Sequence, residues 1–207
     1  MSEAGFTIFL VDDDAGVLKA LKRLLQVADY EVRGFSSPER FLAEHDASVA
    51  GCAILDVAMP GLDGLALQDR LVEQGAGRPI IFLTGNSDIP MSVRAMKAGA
   101  VDFLTKPVAR DALLAAVERA VQQDAAGRRQ REELSSIQSR LQTLTRRERE
   151  VLVQVAAGRL NKQIAAELGT VEKTIKVHRG RMMMKLGLRS VADLVRLTER
   201  VGIAPQH

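Results

Sequence analysis

Short apolar runs alternate with amphipathic helical patterns along the first 123 residues, and no other feature of the sequence constrains the fold as strongly. Five runs have the length and composition of strands: Thr7 to Val11, Glu31 to Phe35, Cys52 to Leu55, Ile80 to Thr84 and Val101 to Leu104. Between them, apolar residues recur at helical spacing in four stretches: Ala15 to Ala28, Gly64 to Glu73, Pro90 to Ala98 and Arg110 to Val121. This α/β alternation favours a five-stranded parallel sheet with helices on both faces. Such sheets hold their ligands at the carboxyl ends of the strands.

Polar side chains that can bind a metal ion or an anion follow four of the five runs. They are Asp12, Asp13 and Asp14 after the first run, Asp56 after the third, Thr84 at the end of the fourth and Lys106 after the fifth. Clustered carboxylates with no histidine or cysteine beside them suit Mg²⁺ or Mn²⁺. A hydroxyl and an ammonium group next to such a metal would bind a phosphoryl group, and a carboxylate can be its covalent acceptor. Asp14 is also placed to cap the helix that starts near Ala15, and we interpret it as that cap.

The two parts of the chain carry opposite net charges. Residues 1–123 contain 12 lysines and arginines against 17 aspartates and glutamates, whereas residues 124–207 contain 17 against 9. A basic part predicts binding to nucleic acid or to another anionic surface. All seven aromatic residues lie in the acidic part, so the basic part lacks the platforms on which single-stranded bases stack. We therefore expect a DNA duplex as its target, with RNA as the weaker alternative.

A polar stretch, residues 124–142, predicts a connecting helix in which Gly127 is the weak point. Its apolar residues Leu134, Ile137 and Leu141 continue to Leu144 at alternating spacings of three and four, which places them in one seam. Such a seam can pair with a second copy as a short coiled coil. It can equally pack on one of the two domains, and the sequence leaves both interpretations open.

The residues after this stretch predict four helices. Thr145 and Glu148 form a capping box for a helix that runs to about Ala157, and Ser190 caps a last helix that runs to about Val201. Between them, a short helix Asn161 to Leu168, with Asn161 as its expected cap, precedes a longer helix Glu172 to Leu186. A short helix, a turn with a glycine and a second helix rich in cations are typical of a helix-turn-helix.

In this helix-turn-helix, the side chains expected to contact DNA are Lys162, Lys173, Thr174, Lys176, Val177, Arg179 and Arg181. We expect Lys176 and Val177 to reach base edges. Lys162, Lys173, Thr174 and Arg181 are expected to hold phosphates. Gly180 is unusual in a helix interior and would allow DNA to approach the backbone.

Two sets of motifs resemble known domains. The residues Val11 to Asp14, Asp56 with Met59 to Gly61 and Asp63-Gly64, Thr84-Gly85, Ala98 to Phe103 and Lys106-Pro107 resemble the receiver domain of bacterial two-component response regulators, over residues 6–123. The residues Leu144 to Leu152, Asn161 to Ala165, Thr174 to His178 and Lys185-Leu186 resemble the LuxR-type helix-turn-helix. The order of the two domains and the length of the chain resemble the FixJ/StyR branch of the NarL/FixJ response regulators.

The resemblance implies a flavodoxin-like (βα)5 receiver in residues 1–123, a linker helix in 124–143 and a four-helix LuxR-type domain in 144–207. It makes Asp56 the phosphoacceptor and assigns Mg²⁺ to Asp13, Asp56 and the backbone carbonyl of Ala58, with Asp12 acting through water. It further implies that Thr84 and Lys106 contact the phosphoryl group, that Phe103 is an aromatic switch and that the Lys106–Pro107 bond is cis.

The function implied is that of a cytoplasmic transcription regulator. A histidine kinase would donate the phosphoryl group, the chain would dimerise and bind promoter DNA, and RNA polymerase is a further candidate partner. No enzymatic activity is expected beyond its own phosphorylation and dephosphorylation, and no membrane contact is expected because no apolar stretch approaches 18 residues. The alternatives are a regulator that works without phosphorylation and a Mg²⁺-dependent aspartyl phosphatase. The phosphatase motif requires an aspartate two residues after the nucleophile, where this chain has Ala58.

Overall fold

The computed structural model describes residues 5–75, 77–85 and 89–203. The chain divides into two compact units, residues 1–128 and 129–207. Within the described residues, no helix combines the length and the apolar character that a membrane span requires.

The first unit contains a parallel sheet of five strands in the order β2-β1-β3-β4-β5. The strands are β1 (Thr7–Val11), β2 (Glu31–Phe35), β3 (Gly51–Asp56), β4 (Ile80–Thr84) and β5 (Asp102–Thr105). The helices are α1 (Ala15–Val27), α2 (Pro38–Glu44), α3 (Gly64–Glu73), α4 (Ile89–Lys97) and α5 (Arg110–Gln142). The predicted class and all five strands are confirmed, with shifts of one residue at both ends of β3 and at both ends of β5.

Successive side chains of each central strand enter two different cores. On one face, Phe9 packs with Phe41 of α2 and Leu67 of α3. On the other face, Ile8 packs with Leu25 of α1. Because both faces are buried, the central strands are apolar except at Thr7, Asp56 and Thr84, which lie at strand ends, and this is why they appear as nearly continuous runs in the sequence.

Two features of the first unit differ from the sequence prediction. Helix α2 was not predicted, since its seven residues are too few to show a helical period. It is defined instead by a local signal, because the Ser37 side chain accepts a hydrogen bond from the Arg40 backbone N–H and Pro38 occupies the first turn. The predicted helix that begins at Arg110 and the predicted connecting helix form one uninterrupted helix, α5, in which Gly127 causes no break.

The second unit contains the last turns of α5 and four further helices, α6 (Arg146–Ala156), α7 (Asn161–Glu167), α8 (Glu172–Leu186) and α9 (Val191–Arg200). The capping box at Thr145 and the cap at Ser190 are confirmed, and Asp193 completes a capping box at Ser190 that was not predicted. The prediction for Asn161 was wrong: the cap is Leu160, whose backbone N–H donates to Gln163 Oε1 at 2.8 Å, and Asn161 is the first helical residue. The glutamine three residues after the cap thus satisfies the cap's own backbone N–H, while leucine offers no side-chain acceptor to the first turn.

Glu148 connects two helices of the second unit. Its carboxylate accepts hydrogen bonds from the Thr145 backbone N–H at 2.8 Å and from Lys185 Nζ of α8 at 2.7 Å, and its side chain is 3% exposed. The hydrogen bond from Lys185 is the main reason why the pKa of Glu148 is lowered from 4.5. The carboxylate therefore belongs to the buried polar framework of this unit.

We predict that Glu148→Ala lowers the free energy of unfolding of the second unit by about 1–3 kcal/mol, because it removes the acceptor of the Thr145 N–H and one acceptor of the half-buried Lys185 ammonium group. Glu148→Gln should lose less, since its amide oxygen can still accept from Thr145. Because the folded pKa is lowered, the stabilisation by the carboxylate is complete above pH 4.5 and is lost as the pH falls through the folded value. Urea unfolding followed by circular dichroism measures both effects. Glu150→Gln, which removes the surface ion pairs to Arg146 and Arg147, is the control and should cost much less than Glu148→Ala. Equal losses for the two variants would contradict this account.

Candidate functional sites

The register of the sheet brings the polar strand ends to one edge. Val11 at the end of β1 pairs with Leu55, and Asp56 at the end of β3 pairs with Leu83. Thr84 at the end of β4 pairs with Thr105. The side chains that follow these positions are therefore neighbours.

Lys106 lies between two buried carboxylates at this edge. Its Nζ is 2.6 Å from Asp12 Oδ2 and 3.2 Å from Asp56 Oδ2. Burial raises the pKa of Asp12 from its ordinary 3.8, although the hydrogen bond from Lys106 acts in the opposite direction. Burial would lower the pKa of Lys106, but its hydrogen bonds to the two carboxylates raise it above 10.5. The lysine is thus held as a cation.

The carboxylates of Asp12, Asp13 and Asp56 each place one oxygen within 4.8 Å of the others. Asp56 Oδ1 is buried and accepts no hydrogen bond from the described residues. A buried carboxylate oxygen needs a partner, and hard oxygen donors prefer Mg²⁺. The donor set therefore fits a divalent cation, and an acidic cluster of this kind is typical of Mg²⁺ sites. Ala58 is exposed two residues after Asp56 and offers its backbone carbonyl alone.

Thr84 and Phe103 border this cluster on β4 and β5. Thr84 is 3% exposed. Phe103 is half-buried, and its ring lies 6.1 Å from that of Phe82 and packs on the same core. The Lys106–Pro107 bond is cis, as expected. Asp14 is confirmed as the cap of α1, because its Oδ1 accepts from the backbone N–H groups of residues 16 and 17.

Gly64 supports the site in a way that the sequence did not reveal. A Cβ atom at this position would lie 2.4 Å from the carbonyl oxygen of Asp56. The Gly64 N–H donates to Val57 O at 3.1 Å, which folds the loop after β3 back on its strand. The only local signal is the pair Asp63-Gly64, in which Asp63 caps α3.

The second unit presents cations along α7 and α8. Lys162, Lys173, Lys176, Val177 and Arg181 are exposed, as their predicted contact with DNA requires, and Thr174 is half-buried. Arg179 is also half-buried and donates to Asn161 Oδ1 at 3.1 Å, so this side chain ties α8 to α7. Gly180 has no atom within 4 Å of an added Cβ and therefore leaves the backbone of α8 open.

The apolar seam of α5 lies against other helices of the second unit. Ile137 is 4% exposed, and Leu134 and Leu141 are half-buried. Ile137 lines a cavity of about 270 Å³ with Leu188 and with Leu197 of α9. This arrangement corresponds to the second of the two interpretations of the seam, and pairing with a second copy remains a prediction.

Comparison with known proteins identifies both units. The response regulator receiver domain matches residues 8–118, and the bacterial regulatory proteins of the luxR family match residues 142–198. Nodulation protein W of Bradyrhizobium diazoefficiens is 44% identical over 97% of this chain and 88% of its own length. Response regulator protein TodT of Pseudomonas putida is also 44% identical over 97% of this chain and 88% of its own length. The solved structure of response regulator StyR has a TM-score of 0.82 and 46% identity, and covers 95% of this chain and 100% of its own.

We predict that Gly64→Ala destabilises the first unit by about 1–3 kcal/mol, because the added methyl group would overlap the Asp56 carbonyl and the loop would have to shift. Gly34→Ala is the matched control, since its Cβ would meet only Leu18 Cδ2 at 3.9 Å. Urea unfolding gives the energies, and ¹H–¹⁵N spectra should place the largest shifts at Asp56 and Val57. Similar behaviour of the two variants would mean that the close approach has no energetic importance.

Proposed function

Because the chain belongs to the two-component response regulators that join a receiver domain to a LuxR-type DNA-binding domain, we propose that Asp56 is its phosphoacceptor and that α7 and α8 bind promoter DNA. Members of this family regulate transcription, and so does this chain. Its receiver domain implies a histidine kinase as partner, and its LuxR-type domain implies DNA. We propose residues 1–123 as the receiver domain, 124–143 as the linker helix and 144–207 as the LuxR-type domain. We also propose the cytoplasm as the location of the chain, because DNA is its target.

The observation that carries this proposal is the asymmetric environment of the Asp56 carboxylate. One oxygen is 3.2 Å from the Lys106 ammonium group, and the other is buried without a hydrogen bond from the described residues. An Asp56 oxygen would attack the phosphorus of a phosphohistidine, so that a P–O bond forms as the P–N bond breaks and the imidazole leaves. Lys106 would then balance the charge of the transferred group, and Thr84 would donate a hydrogen bond to it.

Asp13, Asp56 and the Ala58 carbonyl would hold Mg²⁺, or Mn²⁺ in its place, with Asp12 acting through water. The ion would neutralise the carboxylates and the phosphoryl oxygens, which otherwise repel one another. The phosphatase alternative lacks its acid/base group, because the side chain two residues after Asp56 is a methyl group.

An exposed apolar stripe on α4 supports dimerisation. Ile89, Val93 and Met96 are 76%, 46% and 46% exposed and recur at helical spacing. A phosphoryl group on Asp56 would draw the Thr84 and Lys106 side chains toward it. The ring of Phe103 on β5 would then move into the space that the Thr84 side chain leaves beside β4. This would shift the population toward a form in which α4 and β5 pair with a second copy.

RNA polymerase is a further partner that we propose for the dimer on DNA.

A second apolar surface supports contact with the kinase. A cavity of about 520 Å³ lies between α1 and the loop after β5, and it is lined by Val17, Leu21, Leu24, Pro107 and Val108, with Lys106 at one side. An apolar helix that fills this cavity would place its phosphohistidine near Asp56, since Lys106 belongs to both surfaces.

We predict that Asp56→Asn abolishes phosphorylation by a small donor such as acetyl phosphate in the presence of Mg²⁺, because the amide is not a nucleophile. Only the wild type should then dimerise and gain affinity for duplex DNA. Electrophoresis of phosphoprotein measures phosphorylation, light scattering after size exclusion measures dimerisation, and fluorescence anisotropy with duplex DNA measures the affinity. The control is Asp29→Asn, the same change at an exposed residue with a φ of 62° that asparagine tolerates. If Asp56→Asn also dimerises with the donor, the receiver is not the switch and the phosphorylation-independent alternative is favoured.

We predict that Gly180→Ala stabilises the second unit by about 0.5–1 kcal/mol, because alanine favours helix and its methyl group would meet no protein atom. The same change should weaken binding to duplex DNA, since the methyl group would lie on the surface of α8 that also carries Lys173 and Val177. Urea unfolding and fluorescence anisotropy separate the two effects. Unchanged DNA affinity would show that the backbone at residue 180 does not approach DNA.

A further inference from the structure

The carboxyl ends of α5 and α8 are connected by two reciprocal contacts. Arg140, in the last turn of α5, donates from one guanidinium nitrogen to Leu186 O, the last carbonyl of α8, at 2.7 Å. Lys185, in the last turn of α8, donates to Thr143 O just beyond α5 at 3.1 Å. A cation at a helix carboxyl end satisfies free carbonyls and interacts favourably with the helix dipole. Each helix therefore provides the cation that caps the other.

The turn after α8 is shaped to admit the arginine. Gly187 has a φ of 67° and ends the helix, and a Cβ there would lie 3.4 Å from the Arg140 guanidinium. The Leu188 N–H returns to Met183 O at 2.9 Å and closes the turn. The guanidinium thus fits against a rigid cap, and small rotations of α8 would break its hydrogen bond.

Two further contacts fix the direction of α5 on this unit. Ile137 is buried beside Leu197 of α9. One turn earlier, Glu133 forms a two-point ion pair with Arg200 at 2.6 and 2.7 Å. Together with Arg140 and Lys185, these contacts span three turns of α5. We call residues 133–143 and their contacts to α8 and α9 the helix clamp.

We propose that the helix clamp is a positioning element for DNA recognition, in which Arg140 sets the orientation of α8 without touching DNA. The proposal rests on the proposed function, namely that α8 binds duplex DNA. The side chains expected to reach bases, Lys176 and Val177, lie in the first half of α8, whereas the clamp holds its last turn. A rotation about the clamped end would move the base-contacting side chains while leaving the cationic surface exposed. The clamp should therefore affect sequence discrimination more than general attraction to phosphates.

The test compares two duplexes of equal length with the full chain: the one that the wild type selects from a randomised pool, and one of mixed sequence. We expect Arg140→Met, which keeps much of the apolar stem, to weaken binding to the selected duplex about tenfold, as the loss of one charged hydrogen bond would. Binding to the mixed duplex should change by less than about twofold, and the salt dependence should stay as in the wild type. Arg140→Lys, which keeps the charge but not the planar fork, should lose less than Arg140→Met.

Two matched variants make the result specific. Arg131→Met removes the same charge from an exposed residue of α5 for which no ion pair or hydrogen bond is found among the described residues, and it should behave as the wild type. Lys173→Ala removes an expected phosphate contact, so it should weaken binding to both duplexes. It should also reduce the slope of log affinity against log salt concentration by about one.

Each outcome decides the proposal. If Arg140→Met binds as Arg131→Met does, the clamp does not position α8. If Arg140→Met weakens binding to both duplexes and lowers the salt dependence of binding as Lys173→Ala does, Arg140 is itself a phosphate contact and the proposal is wrong. If the wild type binds neither duplex, the proposed function fails and the clamp proposal fails with it. Thermal unfolding is measured for every variant. If Arg140→Met is unfolded at the assay temperature, Arg140→Lys takes its place. The proposal then requires that Arg140→Lys lowers the ratio of the affinity for the selected duplex to the affinity for the mixed duplex.

Discussion

The ammonium group of Lys106 is the interaction on which the first unit depends. Parallel pairing of β1 with β3 places the carboxylates of Asp12 and Asp56 side by side, and both are buried. Two such charges would repel strongly in a medium of low dielectric constant. Lys106 comes from the loop after β5, on the far side of β4, and its Nζ lies within 3.2 Å of an oxygen of each carboxylate. One side chain therefore links the loop after β5 to the carboxylates at the ends of β1 and β3, across the intervening strand β4.

This arrangement also explains how a change at Asp56 can reach a distant surface. The ammonium group has a limited number of donors, so a phosphoryl group on Asp56 would compete with Asp12 for them. Any movement of Lys106 acts on β5, and Phe103 lies three residues before it with a half-buried ring. Helix α4, which carries the exposed apolar stripe, packs next to β5. The same lysine thus stabilises the resting site and connects it to the surface that we propose for dimerisation.

Sequence reasoning succeeded where the signal is local. The apolar runs, the caps at Asp14 and Ser190 and the capping box at Thr145 follow from neighbouring residues, and the structure confirms them. It missed α2, which is too short for a period, and it expected a weak point at Gly127, where the helix continues. The recognised motifs supplied the group around Asp56, whereas the role of Gly64 depends on a backbone contact that no pattern of residue types encodes.

The apolar seam of α5 shows why the remaining contacts could not be predicted. Spacings of three and four indicate that one face of a helix is covered, but they do not identify the surface that covers it. Ile137 is buried and lines one cavity with Leu197, so pairing of Ile137 with a second α5 requires that it leave this position. A coiled coil at this position would first have to expose Ile137, which costs about 1.5–3 kcal/mol, and would also separate Glu133 from Arg200. Pairing of two copies of α5 through this seam would therefore break the helix clamp. A dimer formed through the seam and a clamped α8 are thus alternative states of residues 133–143.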